Sequence, residues 1–278
     1  VLIIASAALC AGCTSETPLP LHIDFLDVGA GDAALLTCGT HAMMIDTGDK
    51  SHQTVIQEAL ESHGVTRLDI LVLSHPHSDH IGNAAWLLEN YPIDKVYMTE
   101  MTNPASAEYN RMMTTLYAHS TEIHYPAINE QFSFCNVKFT VYSTFDQLRR
   151  NTINNASLVL MLEYAQRKVF FTGDAEVEAE EAMLLVAPML PLAADVIKIG
   201  HHGSDTSSSD AFLEAVHPTY AVISCSAGSS GEGAADIEIG YRLVDCGVKD
   251  FFLTSRVGTV HMVISPMEEG IAITTDRE

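Results

Sequence analysis

Short apolar runs alternate with stretches of helical periodicity along the chain, and polar or glycine-containing turns separate them. Alternating or uniformly apolar runs bounded by turn residues predict strands. By this criterion we expect strands at 21–28, 33–37, 41–46, 68–73, 132–142, 157–164, 168–172, 195–200, 219–225, 251–254, 259–264 and 271–274. Apolar positions at helical spacing, with capping or terminating residues, predict helices at 52–63, 83–90, 105–119, 176–186, 209–216 and 235–246.

Strands come in groups that helices interrupt at irregular intervals. This order favours two sheets with helices outside them over a single doubly wound sheet. No linker interrupts residues 21–278, so we expect one domain there.

The composition narrows the possible functions. The chain has 278 residues, of which 47% are hydrophobic, and this is ample material for a core. Its formal net charge of −22 argues against tight wrapping of nucleic acid, because no basic stripe is present to displace counterions. A nucleic-acid substrate stays open, since bound metal ions reverse the local field inside a cleft.

The N-terminal stretch has the character of an export signal. Residues 1–9 are apolar but too few to span a membrane. The following Cys10-Ala11-Gly12-Cys13 resembles a bacterial lipoprotein cleavage box, although Cys10 stands where Leu is usual. We expect residues 1–20 to be signal and tether, and the protein to be secreted or anchored outside the cytoplasmic membrane by a lipid on Cys13. A non-lipidated cleaved signal, or an N-terminus that is never exported, is the alternative.

The remaining cysteines indicate neither a metal site nor a disulfide. Cys38, Cys135, Cys225 and Cys246 show no metal-type spacing, and their separation does not reveal whether they pair.

The densest group of polar side chains is Ser74-His75-Pro76-His77-Ser78-Asp79-His80, directly after an apolar strand. Imidazole nitrogen and carboxylate oxygen are ligands that zinc and similar divalent ions accept. A strand end can present His75 and His77 on one side, while the following turn carries Asp79 and His80 to another. The pattern therefore predicts two metal positions, with a histidine-rich surface turn as the alternative.

Further polar residues stand at other strand ends, where a layered sheet protein gathers its active groups. Asp46 and Asp174 each follow an apolar strand, and the pair His201-His202 follows another. The stretch Asn154-Asn155-Ala156-Ser157 precedes a strand. Singly, each has a structural explanation: Asp174 is suited to cap the next helix, and the histidine pair to form a turn.

Together these motifs resemble the metallo-β-lactamase superfamily. Their order is Asp-Val-Gly-x-Gly-Asp, Ile-Asp-Thr-Gly, Ser-His-x-His-x-Asp-His-Ile-Gly, Asn-Asn-x-Ser-Leu-Val-Leu, Phe-Thr-Gly-Asp-Ala-Glu and His-His-Gly-Ser. Within the superfamily the chain is most similar to the hydrolase domain of the competence protein ComEC and its free-standing relatives, over 21–264. The resemblance implies an α/β fold, a four-layer αβ/βα sandwich, with two divalent metal ions, zinc or else manganese, at one edge of the sheets.

The resemblance also implies the ligands. His75 and His77 would hold the first metal, Asp79 and His80 the second, and Asp174 both. Of the adjacent pair, His202 is expected to complete the second site.

The same resemblance assigns the surrounding residues. His201 is left to face the substrate, and it is expected to be catalytic together with Asp79 and Asp174. Asp46 would orient the histidine motif without binding metal. Asn155 stands where many members have a third histidine for the first metal. Apart from the resemblance, Glu176 and Ser204 are expected to support the ligands or to lie near the substrate, and a solvated position in the first turn of a helix is the alternative for Glu176.

Two departures from the family pattern concern the substrate. The first turn reads Gly29-Ala30-Gly31 where relatives have Gly-Gln-Gly, and 232–236 lacks the histidine of a Tyr-Gly-His-Pro loop that would help bind or protonate the leaving group. Asp236 is the polar residue in its place.

The expected function is an exported phosphodiesterase that acts on nucleic acid or envelope phosphodiesters, with hydroxide supplied at neutral pH by the metal pair. No obligate protein partner is evident. The alternatives are a hydrolase of lactones, thioesters or β-lactams, and a surface-binding protein of the same fold that has lost turnover.

Overall fold

A computed structural model describes residues 19–144, 152–228 and 235–278. Over these residues the strands run, in chain order, β1 (Leu21–Phe25), β2 (Ala34–Cys38), β3 (His41–Ile45), β4 (Leu68–Leu73), β5 (Ile93–Met98), β6 (Glu122–His124), β7 (Gln131–Phe134), β8 (Val137–Ser143), β9 (Val159–Tyr164), β10 (Arg167–Phe171), β11 (Val196–Lys198), β12 (Tyr220–Ile223), β13 (Asp250–Leu253), β14 (Val260–Ile264) and β15 (Ala272–Thr275). The proposed signal and its Cys13 lie outside the described residues.

The helices of the same residues are α1 (Gln53–Ser62), α2 (Ser78–Ile81), α3 (Ala84–Asn90), α4 (Ala107–His119), α5 (Val177–Val186), α6 (Asp210–Val216), α7 (Ile237–Asp245) and α8 (Thr254–Val257). None of these helices combines the length and the apolar character that crossing a bilayer requires.

The strands form two sheets. The first has the order β15-β14-β1-β2-β3-β4-β5-β6 and the second β13-β12-β11-β10-β9-β8-β7. In each sheet the strands that helices connect are parallel, and the other strands are antiparallel. The parallel strands are β3 to β6 in the first sheet and β10 to β13 in the second.

The two sheets pack face to face around one apolar core. Ile70 and Val72 of β4 face this core, whereas Leu71 and Leu73 lie under helices on the other side. Successive strand residues point to opposite faces, so the part of β4 that is covered on both faces, residues 70–73, is apolar at every position. Helices α1, α3 and α4 cover the first sheet, and α5 to α7 cover the second. The expected four-layer αβ/βα sandwich is confirmed.

Several predicted elements differ in detail. The predicted strand 132–142 is a hairpin of β7 and β8, because Cys135 takes a left-handed conformation (φ 51°) and Phe134 pairs with Val137. The strands β5 and β6 and the short helices α2 and α8 were not predicted. The polar Asp94 and Lys95 interrupt the apolar run of β5, and the other three elements are too short to show a period. The strand 195–200 ends at Lys198, where the backbone turns toward the histidine pair.

A disulfide joins the two sheets. Cys38 at the end of β2 is bonded to Cys135 in the β7–β8 turn, while Cys225 and Cys246 are free. The bond lies at the end of β2 opposite the turn that carries Asp32.

Candidate metal centre

The polar motifs meet at one end of the sandwich. Asp46 follows β3, the histidine motif follows β4, and Asp174 and the pair His201-His202 follow β10 and β11. Because these strands are neighbours in their sheets and end on the same side, residues far apart in sequence come together.

The turn after β4 lies so close to the backbone of neighbouring turns that only glycine fits at two positions. A Cβ on Gly82 would lie 2.5 Å from the backbone nitrogen of Lys50, and a Cβ on Gly31 would lie 2.5 Å from the carbonyl oxygen of Asp79. The backbone nitrogen of Thr47 donates to the His80 carbonyl at 2.6 Å. These contacts hold the four-residue helix α2 against two neighbouring turns and so place His77, Asp79 and His80.

A first group of donor atoms consists of His75, His77 and Asp174. The Nε2 atom of His75 lies 3.0 Å from Nδ1 of His77 and 3.5 Å from Oδ2 of Asp174. Ligands bound at about 2.0–2.2 Å to one tetrahedral ion lie roughly 3.3–3.6 Å apart, so this group fits one ion.

A second group gathers around the Nε2 atoms of His80 and His202, which are 3.3 Å apart. Oδ2 of Asp174 lies 3.2 Å from the first nitrogen and 3.6 Å from the second. Oδ2 of Asp79 lies 3.2 Å from Nε2 of His202 and 4.0 Å from that of His80. These four side chains are those that the family resemblance assigned to the second metal, although the set whose ligand atoms all lie within 4.8 Å of one another contains Asp32 in place of Asp79.

Asp174 belongs to both groups. Its Oδ2 atom faces both sets of imidazoles, and its Oδ1 atom is buried without a hydrogen-bond partner in the part of the chain that the structure describes. Burial raises the pKa of Asp174, but the imidazoles of His80, His202 and His75 outweigh burial and hold this pKa well below 3.8. An ionised carboxylate with a free buried oxygen between two donor groups fits a ligand shared by two divalent ions.

The imidazole of His80 is oriented from behind by Asp46. Oδ2 of Asp46 lies 2.9 Å from Nδ1 of His80, and the same carboxylate accepts hydrogen bonds from the backbone nitrogen and hydroxyl of Ser74, each at 2.7 Å. Burial raises the pKa of Asp46, and the neighbouring His80 opposes that rise. Asp46 thus contacts the ligand without belonging to either donor group, the arrangement that fixes a metal-binding histidine.

The histidine pair takes an unusual backbone path that separates its two side chains. His201 and His202 have φ values of 47° and 55°, and Gly203 follows at 82°. Consecutive left-handed residues other than glycine are strained by about 1–3 kcal/mol each, and such strain is found where side chains must be aimed. Nδ1 of His202 lies 3.1 Å from the Ser224 carbonyl, which directs Nε2 into the second group.

His201 points instead toward the rim. Its side chain is 28% exposed, Nδ1 lies 2.9 Å from the Thr206 hydroxyl, and Nε2 lies 3.4 Å from Nδ2 of Asn154. Oε1 of Glu176 is 3.6 Å from Nδ1. Ser204 supports this cluster through its hydroxyl, 3.1 Å from that of Thr206.

Asn155 contacts neither donor group. Its side chain accepts from the backbone nitrogen of Glu176 at 2.9 Å and donates to Glu178 at 3.0 Å. Ser157 occupies the nearer position, since its hydroxyl lies 3.3 Å from Nδ1 of His75 and accepts from the Asp174 backbone nitrogen at 3.1 Å. Among the described residues, the first group therefore has two imidazoles and no third.

The sequence analysis did not predict a role for two buried charged residues, Asp32 and Lys198. Asp32 lies within 4.8 Å of His80, Asp174 and His202 through one atom of each residue, and it forms an ion pair with Lys198. Two signals point to them in retrospect: Asp32 ends the Gly-x-Gly-Asp turn, and Lys198 is a cation inside an otherwise apolar strand.

A buried carboxylate anchors the loop that follows the histidine pair. Glu180 of α5 is 2% exposed and accepts the backbone N–H groups of Ser208 and, at 2.9 Å, Ser209. Replacing Glu180 by Gln leaves one of these donors without an acceptor, and we expect the free energy of unfolding to fall by about 1–3 kcal/mol. Urea denaturation measures this, with the exposed neighbour variant Glu181→Gln as control. Equal stability of the two variants would contradict the anchoring role.

Comparison with known proteins agrees with this geometry. The family model described as the metallo-beta-lactamase superfamily matches residues 26–227. Recombination protein 2 of Haemophilus influenzae is 29% identical over 208 residues, which are 73% of this chain and 24% of that protein. ComE operon protein 3 of Bacillus subtilis is 28% identical over 223 residues, 73% of this chain and 28% of that protein. The chain thus spans about a quarter of the length of these relatives.

A solved structure, the metallo-beta-lactamase fold protein YhfI of Bacillus subtilis, has a TM-score of 0.59 at 11% identity and covers 87% of this chain and 99% of that one. This likeness concerns the fold alone. The fold and the paired donor groups define a metal-dependent hydrolase. The chain belongs to the metallo-beta-lactamase superfamily, and its similarity to competence proteins confirms the expected ComEC-type relationship.

Proposed function

We propose that this protein is a phosphodiesterase that uses two divalent metal ions, zinc or else manganese. The observation that carries the proposal is the carboxylate of Asp174, which lies between two sets of imidazoles and keeps one buried oxygen free. His75 and His77 would hold one ion with Asp174, and Asp79, His80 and His202 would hold the other. Two such ions make hydroxide available near neutral pH and offset negative charge that develops on a phosphoryl group.

Two divalent ions would allow this acidic site to accept an anionic substrate. The carboxylates of Asp32, Asp46, Asp79 and Asp174 lie in or beside the two donor groups. Two divalent ions and the ammonium of Lys198 would balance these four charges and the charge of a bound hydroxide. The loaded site would therefore not repel a phosphodiester, even though the whole chain carries a net charge of −22.

His201 is suited to contact the substrate directly. Its imidazole is partly exposed at the rim, and Thr206, Asn154 and Glu176 hold the ring. A ring held in this way donates a hydrogen bond or a proton from the rim without taking a ligand position. The Glu176 carboxylate is in turn held by Asn154 at 3.1 Å, so the cluster is a connected unit.

The substrate class is a phosphodiester of nucleic acid or of the cell envelope. The names of the similar proteins, which refer to recombination and competence, favour nucleic acid. The absence of a basic stripe in the sequence favours a smaller or envelope-bound substrate.

We place the protein outside the cytoplasm, secreted or held at the membrane by a lipid on Cys13. The disulfide between Cys38 and Cys135 supports this location, because such bonds persist in oxidising compartments and are rare in the cytosol.

The test is hydrolysis of bis-aryl phosphodiesters by residues 20–278 in zinc or manganese. We expect turnover that a chelator abolishes and that added metal restores, and parallel assays with single-stranded DNA, phosphocholine esters, a lactone and a thioester define the substrate class. A folded, metal-loaded protein that hydrolyses only the lactone or thioester would replace the phosphodiesterase with a carbonyl-ester hydrolase. No turnover of any of these substrates would favour a binding role.

A further inference from the structure

An ion pair lies next to the second donor group, and both of its side chains are buried. Lys198, the last residue of β11, is 3% exposed, and its ammonium contacts Oδ2 of Asp32, which is 7% exposed. A buried lysine in an apolar strand is rare unless it is paired, because desolvation of the charge is costly. Hydrophobic residues at these two positions would cost less free energy than a buried ion pair. We therefore expect the pair to have a role other than packing.

The carboxylate of Asp32 faces the Nδ1 atoms of the two histidines. Its Oδ1 atom lies 3.6 Å from Nδ1 of His202, and its Oδ2 atom lies 4.0 Å from Nδ1 of His80. The Nε2 atoms of both rings face Asp174. Because the two nitrogens of an imidazole lie on different sides of the ring, Asp32 approaches each ring from the side opposite to the nitrogen that faces Asp174.

We propose that Asp32 and Lys198 form a positioning pair for the second metal. The Nδ1–H groups of His202 and His80 donate to the Ser224 carbonyl and to Asp46, and the carboxylate of Asp32 lies beside both groups. Its negative charge there would raise the basicity of the Nε2 atoms that bind the ion. Lys198 holds this carboxylate beneath the rings through the ion pair. Asp46 acts on His80 alone, whereas Asp32 faces both rings and is the carboxylate nearest to Nδ1 of His202.

The inference rests on the proposed two-metal site, and its test measures metal binding apart from turnover. The variants are Asp32→Asn and Asp32→Asn/Lys198→Met, each of which removes the carboxylate charge. The double variant also removes the ammonium that would otherwise be left unpaired. The matched control is Lys168→Met, a lysine of similar length on the adjacent strand β10 whose side chain is 36% exposed.

Three quantities are measured on purified protein: the melting temperature without metal, Zn²⁺ affinity at each site by competition with a chromophoric chelator, and the visible spectrum of the Co²⁺-substituted protein. We expect both variants to bind the first Zn²⁺ as the wild type does and the second about 10- to 100-fold more weakly. The Co²⁺ bands of the second ion should shift, and the control should match the wild type in every measurement.

The melting temperature shows whether the two residues act as a unit. We expect Lys198→Met alone to melt well below the wild type, because it leaves the Asp32 carboxylate buried and unpaired, and the double variant to recover most of this loss. Wild-type Zn²⁺ affinity at both sites in either Asp32 variant would overturn the positioning role. Additive losses of melting temperature would overturn the pairing. Failure of the wild type to bind Zn²⁺ would overturn the two-metal site itself and the inference with it.

Discussion

Replacing Asp174 by Asn is expected to lower phosphodiester hydrolysis at least about 10³-fold, which corresponds to about 4 kcal/mol of transition-state stabilisation. The reason is that Oδ2 of Asp174 belongs to both donor groups, so its loss affects both ions at once. The amide keeps the size of the side chain but lacks the charge that offsets two cations. The measurement is kcat/KM together with metal content by elemental analysis.

The fold should survive this substitution. Asp174 is a buried charge surrounded by imidazoles, and an amide removes a desolvation cost without opening a cavity. The control is Asp210→Asn, which changes a carboxylate at the start of α6 that is 80% exposed. A folded Asp174→Asn protein that keeps more than about a tenth of wild-type activity would refute a shared role for this residue.

Removing the disulfide is expected to lower stability by about 2–5 kcal/mol. Cys38 and Cys135 are 97 residues apart, and in the chain-entropy description a loop of this length is worth about 4.7 kcal/mol. For a protein of this size a loss of 3 kcal/mol lowers the melting temperature by roughly 6–12 °C. The variant is Cys38→Ala/Cys135→Ala, and thermal unfolding is followed by circular dichroism.

The response to a reducing agent provides the control for this experiment. A reductant should lower the melting temperature of the wild type toward that of the double variant and leave the variant itself unchanged. Hydrolytic activity of the folded variant should be retained, because the bond lies at the end of β2 remote from Asp32. If reductant leaves the wild-type melting temperature unchanged, the bond does not contribute to stability.

Much of the local structure follows from neighbouring residues alone. The apolar run 70–73 is recognisable as part of a strand because both faces of this part of β4 are covered, and such a segment is apolar at every position. The helices α1 and α7 are recognisable from their period. The hairpin of β7 and β8 was missed because a two-residue turn at Cys135 leaves no break in the apolar pattern.

The ligands differ in how far sequence could assign them. His75, His77, Asp79 and His80 lie within one turn, so residue type and spacing suffice to suggest two metal positions. His202 differs from His201 only through backbone conformation: two left-handed residues send one ring inward and the other to the rim. The sequence contains both histidines but not the sign of their φ angles.

By itself the sequence determined the class of fold, the motif that carries most of the ligands and the chemistry that those ligands favour, because these depend on residue type and short-range order. Tertiary structure alone decided which donor atoms lie together in one group, that Asn155 faces Glu176 and Glu178, that Cys38 is bonded to Cys135, and that Lys198 lies beneath the site against Asp32. Each of these contacts joins residues on different strands or loops. Their distances depend on how two sheets stack, and no local pattern records that.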